Sequence, residues 1–229
     1  MIKKIICVIP ARGGSKRIKN KNIKSFLGKP MISYPIKAAL KSKLFKKIIV
    51  STDKIKIKKI AEKFGAKVPF LRDKKISDYK TGLVTVLLNA IRELKIKDDY
   101  VFLVNATSPL LRAKDLVLAF KRIISKKADG LVAVSSFDYN PLRAFCYNKK
   151  KIFLKFKWPK FRKRNSQDLQ FLFHDTGTFY IYKVKSLLKY KNLCPKKTIP
   201  YFLKRYDSID IDDSEDLKFA EFLFKFKKD

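Results

Sequence analysis

The sequence predicts an α/β fold with a mostly parallel sheet and helices on both faces. Short apolar runs alternate along residues 3–136 with longer stretches whose apolar residues have helical spacing. Such alternation is typical of strand–helix–strand units in a parallel sheet. Polar segments also follow several predicted strands, at the edge where open parallel sheets bind ligands. The length of 229 residues fits one domain, residues 1–229, with an arm at residues 140–175.

The predicted elements follow one another in strand–helix order. The first strand, "KKIICVIP", leads through a basic loop to a helix with Pro30 at its first helical position. Gly65 ends the next helix, and the last helix opens with Glu215 and Asp216, which suit the positive end of a helix dipole. The predicted strands are 3–10, 47–52, 100–106 and 130–136, with returning segments at 177–182 and 199–203. The predicted helices are 29–43, 54–65, 81–94, 113–126 and 214–226.

Residues 140–175 break this pattern, because they are aromatic and basic and have little helical period. We predict a protruding β-hairpin arm with a tight turn at residues 148–151. Exposed aromatic side chains would be a liability unless a partner chain covers them. The aromatic residues concerned are Phe153, Phe156, Trp158 and Phe161.

The formal net charge of +35 invites a nucleic-acid interpretation. The charge is mostly lysine and is spread over every segment, whereas a nucleic-acid surface usually clusters charge and combines arginine with aromatic residues. We therefore favour a compositional lysine bias and keep a basic nucleic-acid-binding protein as the alternative. Either way, the positive field should attract polyanions such as a nucleoside triphosphate.

Several features point to the cytoplasm. No apolar run approaches the roughly 18 residues of a membrane span, and the N-terminus enters a strand without the apolar region of a signal peptide. The three cysteines are an odd number without metal-ligand spacing, which argues against a disulfide framework.

The loop in "ICVIPARGGSKRIKNKN", residues 6–22, has the composition of a phosphate-binding loop. Gly13 and Gly14 would allow close backbone approach, and cationic side chains would add charge. Neither the Walker spacing nor G-x-G-x-x-G is present. A solvated basic loop is the alternative, although its position between the first strand and the first helix favours binding. The polar and cationic members are Arg12, Ser15, Lys16, Arg17, Lys21 and Asn22.

A second segment, "YDSIDIDDSEDL", carries a pair of carboxylates at residues Asp210 and Asp212. In an extended chain these two side chains project from the same face. Two neighbouring carboxylates suit Mg²⁺, which completes its shell with water and phosphate oxygens. An acidic cap on the last helix is the alternative, and it explains Asp213 better than it explains the pair.

The single histidine, His174, stands beside Asp175 in "FHDTGTFY". Such a pair is more often structural than catalytic, but its place next to the arm would let it face a substrate. Arg164 and Gln167 are either exposed or contacts to an anionic sugar carboxylate.

Taken together, these segments resemble the nonulosonate (acylneuraminate-type) cytidylyltransferase family, whose members make CMP-sialic acid and related CMP-sugars. The resemblance rests on "IPARGGSKRIKNKN", "IIVSTD", "PFLR…SDYKTG", "ATSPLLR" and "DSIDIDDSEDL", in that order over almost the whole chain. "RNSQDL…FHDTGTFY" with "FKWP" looks more like the pseudaminic acid branch than the sialic acid branch. The resemblance implies a Rossmann-like nucleotidyltransferase fold, a dimerisation arm, a homodimer and Mg²⁺ as cofactor.

The resemblance also implies roles for individual residues in transferring CMP from CTP to a nonulosonic acid. It gives catalytic roles to Arg12, Lys21 and Asp212, and metal binding to Asp210 and Asp212. CTP binding is implied for Arg12, Gly13, Ser15, Asn22, Arg72, Thr81 and Asn105. Sugar binding is implied for Asn105, Gln167, His174, Asp175 and Tyr180.

Two departures leave the acceptor sugar open. Asn105 stands where sialic acid enzymes usually have Gln, and "HDTGTFYIY" differs from the more usual "HDAGQFYW". The predicted acceptor is pseudaminic acid, and legionaminic and sialic acid are the alternatives. A different nucleobase in the nucleotide, or an inactive subunit, is a weaker option.

Overall fold

A computed structural model describes residues 4–97, 99–147 and 153–227. Its central six-stranded sheet has helices on both faces, which confirms the predicted fold class. The strands of the protein are β1 Ile5–Pro10, β2 Ser25–Phe26, β3 Lys29–Pro30, β4 Lys47–Ser51, β5 Tyr100–Val104, β6 Gly130–Ser136, β7 Phe145–Tyr147, β8 Leu154–Phe156, β9 Phe173–Lys183 and β10 Thr198–Phe202. The helices are α1 Ser33–Ser42, α2 Ile55–Lys63, α3 Leu83–Glu93, α4 Ala113–Ser125, α5 Val184–Tyr190 and α6 Ser214–Phe226.

The strand order in the central sheet is β10-β6-β9-β5-β1-β4. Strand β9 is antiparallel to β5 and β6, while β1 pairs in parallel with β4 and β5, and β10 with β6. Alternate residues of β1 pack into two different hydrophobic cores, one on each face of the sheet. Cys7 and Ile9 pack with α1, α2 and α4, whereas Ile6 and Val8 pack with α3 and α5 on the other face.

The first helix begins later than the sequence predicts. Pro30 lies in β3, which pairs with β2 across a two-residue turn, and α1 begins at Ser33. Leu27 and Gly28 both have positive φ, 45° and 78°, as a tight hairpin of matching twist requires. The prediction was wrong because Pro is as acceptable in a short edge strand as at a helix start. The last helix has the predicted bounds, 214–226.

The aromatic segment contains the expected hairpin, since β7 and β8 pair antiparallel. Phe153 is 77% exposed and Trp158 is 43% exposed, whereas Phe156 and Phe161 are half-buried. The predicted turn at 148–151 lies outside the described residues. The role of the arm in dimerisation stays a prediction.

Two expectations about the chain as a whole can be compared with the structure. The three cysteines are free: Cys7 is buried, and Cys146 and Cys194 are exposed. Across the described residues, every helix is too short or too polar to cross a bilayer.

Candidate active site

A cleft opens at the carboxyl edge of the sheet, where the strand order reverses. From β1 the chain moves to β4 on one side and later to β5 on the other. Arg12, Asp53 and Asn105 follow the ends of these three strands, and ligands of open α/β sheets bind at such a switch point. The cavity has a volume of about 490 Å³. Its lining includes eight residues predicted from the sequence: Arg12, Ser15, Lys21, Asn22, Arg72, Thr81, Asn105 and Asp212.

The basic loop is held in place by hydrogen bonds at both ends. The buried Asn22 donates from Nδ2 to the carbonyl of Arg12, 2.8 Å away. Arg12 in turn donates from Nη1 to the carbonyl of Asp78 at 2.6 Å. Lys16 places its Nζ 3.7 Å from the ring centre of Tyr79. The loop and the 73–82 segment therefore meet across the cleft.

Gly13 faces away from the cleft. Its backbone N–H donates to Asp53 Oδ1 at 2.7 Å, and a β-carbon there would lie 2.3 Å from Cγ of Lys54. The residue thus anchors the loop to the segment after β4 and is absent from the cleft lining. Its predicted contact with CTP stays a prediction.

Arg72 is the most constrained cation of the cleft. Its segment runs parallel to the end of β4, and its backbone N–H donates to the carbonyl of Thr52 at 2.8 Å. The side chain is 4% exposed, its Nε donates to Ser77 Oγ at 3.1 Å, and its buried Nη1 has no partner. Burial lowers the pKa of Arg72, with Asp53 opposing that shift and Arg12 adding to it. Arg72 also lines the cavity, so its guanidinium adds positive charge to the wall of the cleft.

The acidic segment is tied to the basic loop. Lys21 donates from Nζ to the carbonyl of Ile211 at 2.6 Å and to Asp212 Oδ1 at 3.2 Å. Arg17 pairs with the same Asp212 oxygen at 2.6 Å. Ile211 is fully buried between two accessible aspartates, so the side chains alternate as predicted, although these residues lie in an extended loop and not in a hydrogen-bonded strand.

Asp210 is not among the residues that line the cavity, but it lies near Asn105, which does. A β-carbon on Gly177, whose φ is +64°, would lie 3.8 Å from Asn105 Nδ2 and 4.0 Å from Asp210 Oδ2. Desolvation by the surrounding protein raises the pKa of Asp210, and the like charge of Asp212 raises it further, while Lys21 opposes the shift. The negative charges of the two carboxylates therefore repel each other.

Three of the predicted sugar-binding residues, His174, Asp175 and Tyr180, lie on β9, whereas Gln167 lies on the arm. Asp175 accepts hydrogen bonds from the N–H of Gly177 at 2.9 Å and from the hydroxyl of the buried Tyr180 at 2.7 Å. Burial, followed by this contact, raises the pKa of Tyr180. His174 bonds through Nδ1 to the carbonyl of Asp175 at 3.1 Å, so this contact is to the backbone and not to the carboxylate. Gln167 is exposed on a short turn of the arm. None of Gln167, His174, Asp175 and Tyr180 is among the residues that line the cleft.

Sequence reasoning missed several residues of the cleft wall. Asp78 accepts from both the N–H and the hydroxyl of Thr81, at 2.8 and 2.5 Å, which lowers the pKa of its carboxyl. Tyr79 and Thr107 also line the cavity. The motifs "SDYKTG" and "ATSPLLR" contained these residues, but one chain gives no sign of which of their side chains face a ligand.

The fold and cleft together define a nucleotide-binding α/β transferase. Five cationic side chains line a cavity that also contains the carboxylates of Asp78 and Asp212. This arrangement suits a polyphosphate and not an apolar ligand. A sequence model described as cytidylyltransferase matches residues 6–223, and the chain belongs to the cytidylyltransferase family.

Individual relatives are consistent with this membership. A pseudaminic acid cytidylyltransferase of Campylobacter jejuni is 40% identical over 225 residues, 97% of each chain. A CMP-N,N'-diacetyllegionaminic acid synthase of Legionella pneumophila is 29% identical, covering 99% of this chain and 98% of the relative. Among solved structures, a CMP:2-keto-3-deoxy-manno-octonic acid synthetase complexed with CTP superposes with a TM-score of 0.73 at 18% identity, covering 98% of this chain and 99% of that one. The superposition supports the shared fold.

Proposed function

We propose that this enzyme transfers CMP from CTP to the anomeric hydroxyl of pseudaminic acid, giving the CMP-sugar and pyrophosphate. The observation that carries the proposal is the unpaired, buried Nη1 of Arg72 in a cleft that also gathers Arg12 and Lys21. The choice of sugar rests on the 40% identity over nearly the full length to a pseudaminic acid cytidylyltransferase.

The cations of the cleft would bind the triphosphate of CTP. Arg12 and Lys21 are already oriented by Asp78 and Asp212, so little reorganisation is needed when the ligand binds. As the sugar hydroxyl attacks the α-phosphorus, charge grows on the phosphoryl oxygens and on the leaving pyrophosphate. The same two side chains stabilise that charge, and the reaction needs no covalent enzyme intermediate.

The acceptor would bind at the Asn105 end of the cleft. Asn105, Gly177 and Asp210 meet there, and Asp175 and Tyr180 stand behind Gly177. Gly177 leaves space where any other residue would place a side chain. A sugar bound at this point would present its hydroxyl toward the phosphate loop.

Asp210 and Asp212 fit a Mg²⁺ ion by the chemistry of their donors. No group of three or more His, Cys, Asp or Glu suited to a metal occurs among the residues with described coordinates, so the protein would supply two carboxylates. Mg²⁺ commonly binds to one or two carboxylates and takes water and phosphate oxygens for the remainder. When bound, it would polarise the phosphate and lower the pKa of a nearby hydroxyl. Lys21 would keep Asp212 oriented.

The arm would mediate a homodimer by packing its exposed aromatic residues, including Phe153 and Trp158, against a second copy. We place the enzyme in the cytoplasm, since CTP is a cytoplasmic substrate and the three cysteines are free.

Pyrophosphate release tests the proposal. Purified protein is incubated with Mg²⁺, each nucleoside triphosphate, and each of pseudaminic, legionaminic and sialic acid. We expect release with CTP and the highest kcat/KM with pseudaminic acid. Higher efficiency with another sugar would correct the acceptor, and no release with any pair from folded protein would refute the transferase activity.

A further inference from the structure

A second cavity lies at the opposite edge of the sheet from the active-site cleft. It has a volume of about 310 Å³, within the usual range for small-molecule sites. Its walls come from the residues before β1, the start of β4, the segment beside β4 and the chain after α3. Of the eleven described residues that line it, none is acidic and six are lysines: Lys4, Lys46, Lys47, Lys67, Lys95 and Lys97. We call this cavity the lysine pocket.

The lysines of this pocket lack acidic partners among the residues that the structure describes. None of the ion pairs there involves any of the six. Asp99 lies beside the pocket, but its carboxylate accepts from the backbone N–H of Lys4 at 3.0 Å and not from an ammonium group. The other cleft differs in this respect, because Asp212 offsets the charge of Arg17 and Lys21. The described lysines of the pocket therefore carry positive charge that no described ion pair neutralises, with the carboxylate of Asp99 at the edge of the pocket.

The floor of the pocket is apolar. Ile6, Ile49 and Ile96 are 3%, 2% and 9% exposed, and with Pro69 and Leu94 they line the cavity beneath the lysines. Inorganic phosphate would use only the charged rim. A ligand with a flat, weakly polar ring and several phosphates would use both surfaces.

We infer that the lysine pocket is a second binding site, separate from the catalytic cleft, for a nucleoside polyphosphate. The phosphates lie among the lysines and the base packs on the isoleucine floor. Occupancy at this edge would reach β1 and β4, the two strands whose other ends carry Arg12 and Asp53.

Calorimetric titration with ATP tests this inference. The pocket variant is Lys47→Glu with Lys97→Glu; the matched control, Lys121→Glu with Lys218→Glu, makes the same charge change on exposed helix positions of α4 and α6. We expect ATP binding to weaken by about tenfold or more in the pocket variant and by less than about twofold in the control, since distant exposed charges are screened by salt. Turnover of CTP should continue in both variants.

Three results would overturn the inference. Equal weakening in the pocket variant and the control would reduce the effect to the general field of the protein. Loss of ATP binding in Arg12→Ala would place the nucleotide in the catalytic cleft. Inorganic triphosphate binding as tightly as ATP would remove the role of the apolar floor. Because these readouts are binding curves, they are independent of whether the enzyme uses pseudaminic acid.

Discussion

Replacing Arg72 by Met should lower activity while leaving the unliganded protein as stable or making it more stable. The Arg72 side chain is buried, with one hydrogen bond from Nε to Ser77 and an unpaired Nη1. In the free protein that unpaired donor costs about 1–3 kcal/mol, and the bond to Ser77 returns about 1 kcal/mol. Met keeps the apolar packing of the stem, so the free energy of unfolding should stay constant or rise by up to about 2 kcal/mol.

The activity should change in the opposite direction. Hydrogen bonds from a charged donor to a ligand contribute about 1.5–3 kcal/mol, and each 1.4 kcal/mol is a factor of ten. The kcat/KM for CTP should therefore fall roughly 10- to 150-fold. Arg92→Met is a matched control, because Arg92 is exposed on α3 and, within the described part of the chain, forms an ion pair only with its neighbour Glu93.

Both quantities can be measured on the same samples, by urea denaturation without ligand and by steady-state pyrophosphate release. An Arg72→Met protein with unchanged kcat/KM would refute the role of Nη1. A protein that loses activity together with several kcal/mol of stability would show that Arg72 is structural. Arg92→Met should match the parent protein in both assays.

Three further predictions concern the acidic segment and the arm. The pKa of Asp210 is raised in the folded protein, so folding becomes less favourable as the pH rises above 3.8, the usual pKa of this side chain. Asp210→Asn should therefore melt at a higher temperature than the parent protein in metal-free buffer, by a margin that grows from pH 4 to pH 7. A margin that stays constant over this range would contradict the prediction. Ile211→Ala should cost about 2–5 kcal/mol of stability and raise the Mg²⁺ concentration that the proposed metal site needs for half-maximal turnover, whereas Ile211→Val should cost about 0.5–1.5 kcal/mol and leave that concentration unchanged; chemical denaturation and Mg²⁺ titration check both. The parent protein should sediment as the proposed homodimer in analytical ultracentrifugation, and Phe153→Ser with Trp158→Ser should sediment as a monomer, with Phe222→Ser on α6 as the control; a dimer in the double variant would refute the role of the arm.

Periodicity alone was enough to predict the class of fold and most helices. The start of α6 follows from a capping box formed by Asp213 and Asp216. Pro30 was misplaced because the hairpin before α1 depends on a Leu27–Gly28 turn with positive φ at both residues, and Leu gives no sign of that conformation. The antiparallel direction of β9 also depends on where the chain returns after the arm, which no local pattern encodes.

The candidate site was predictable where residues follow strands and less so elsewhere. Arg12, Asn105 and the Asp210/Asp212 pair could be placed from strand ends and from alternation along an extended chain. The orientation of Gly13 toward Asp53 and the contact of Asp78 with Arg12 arise from tertiary packing. Such contacts join residues far apart in sequence, so they become visible only in the folded protein.

Transfer of CMP from CTP to a nonulosonic acid can be followed directly through the α-phosphate of CTP. Protein is incubated with Mg²⁺, pseudaminic acid and CTP carrying ³²P at the α-position, and the products are separated and identified by mass. Label in a CMP–pseudaminic acid adduct, with unlabelled pyrophosphate, is the predicted result. Label that stays in CTP, or appears only in free CMP without a sugar adduct, would contradict the proposed transfer of CMP to the sugar.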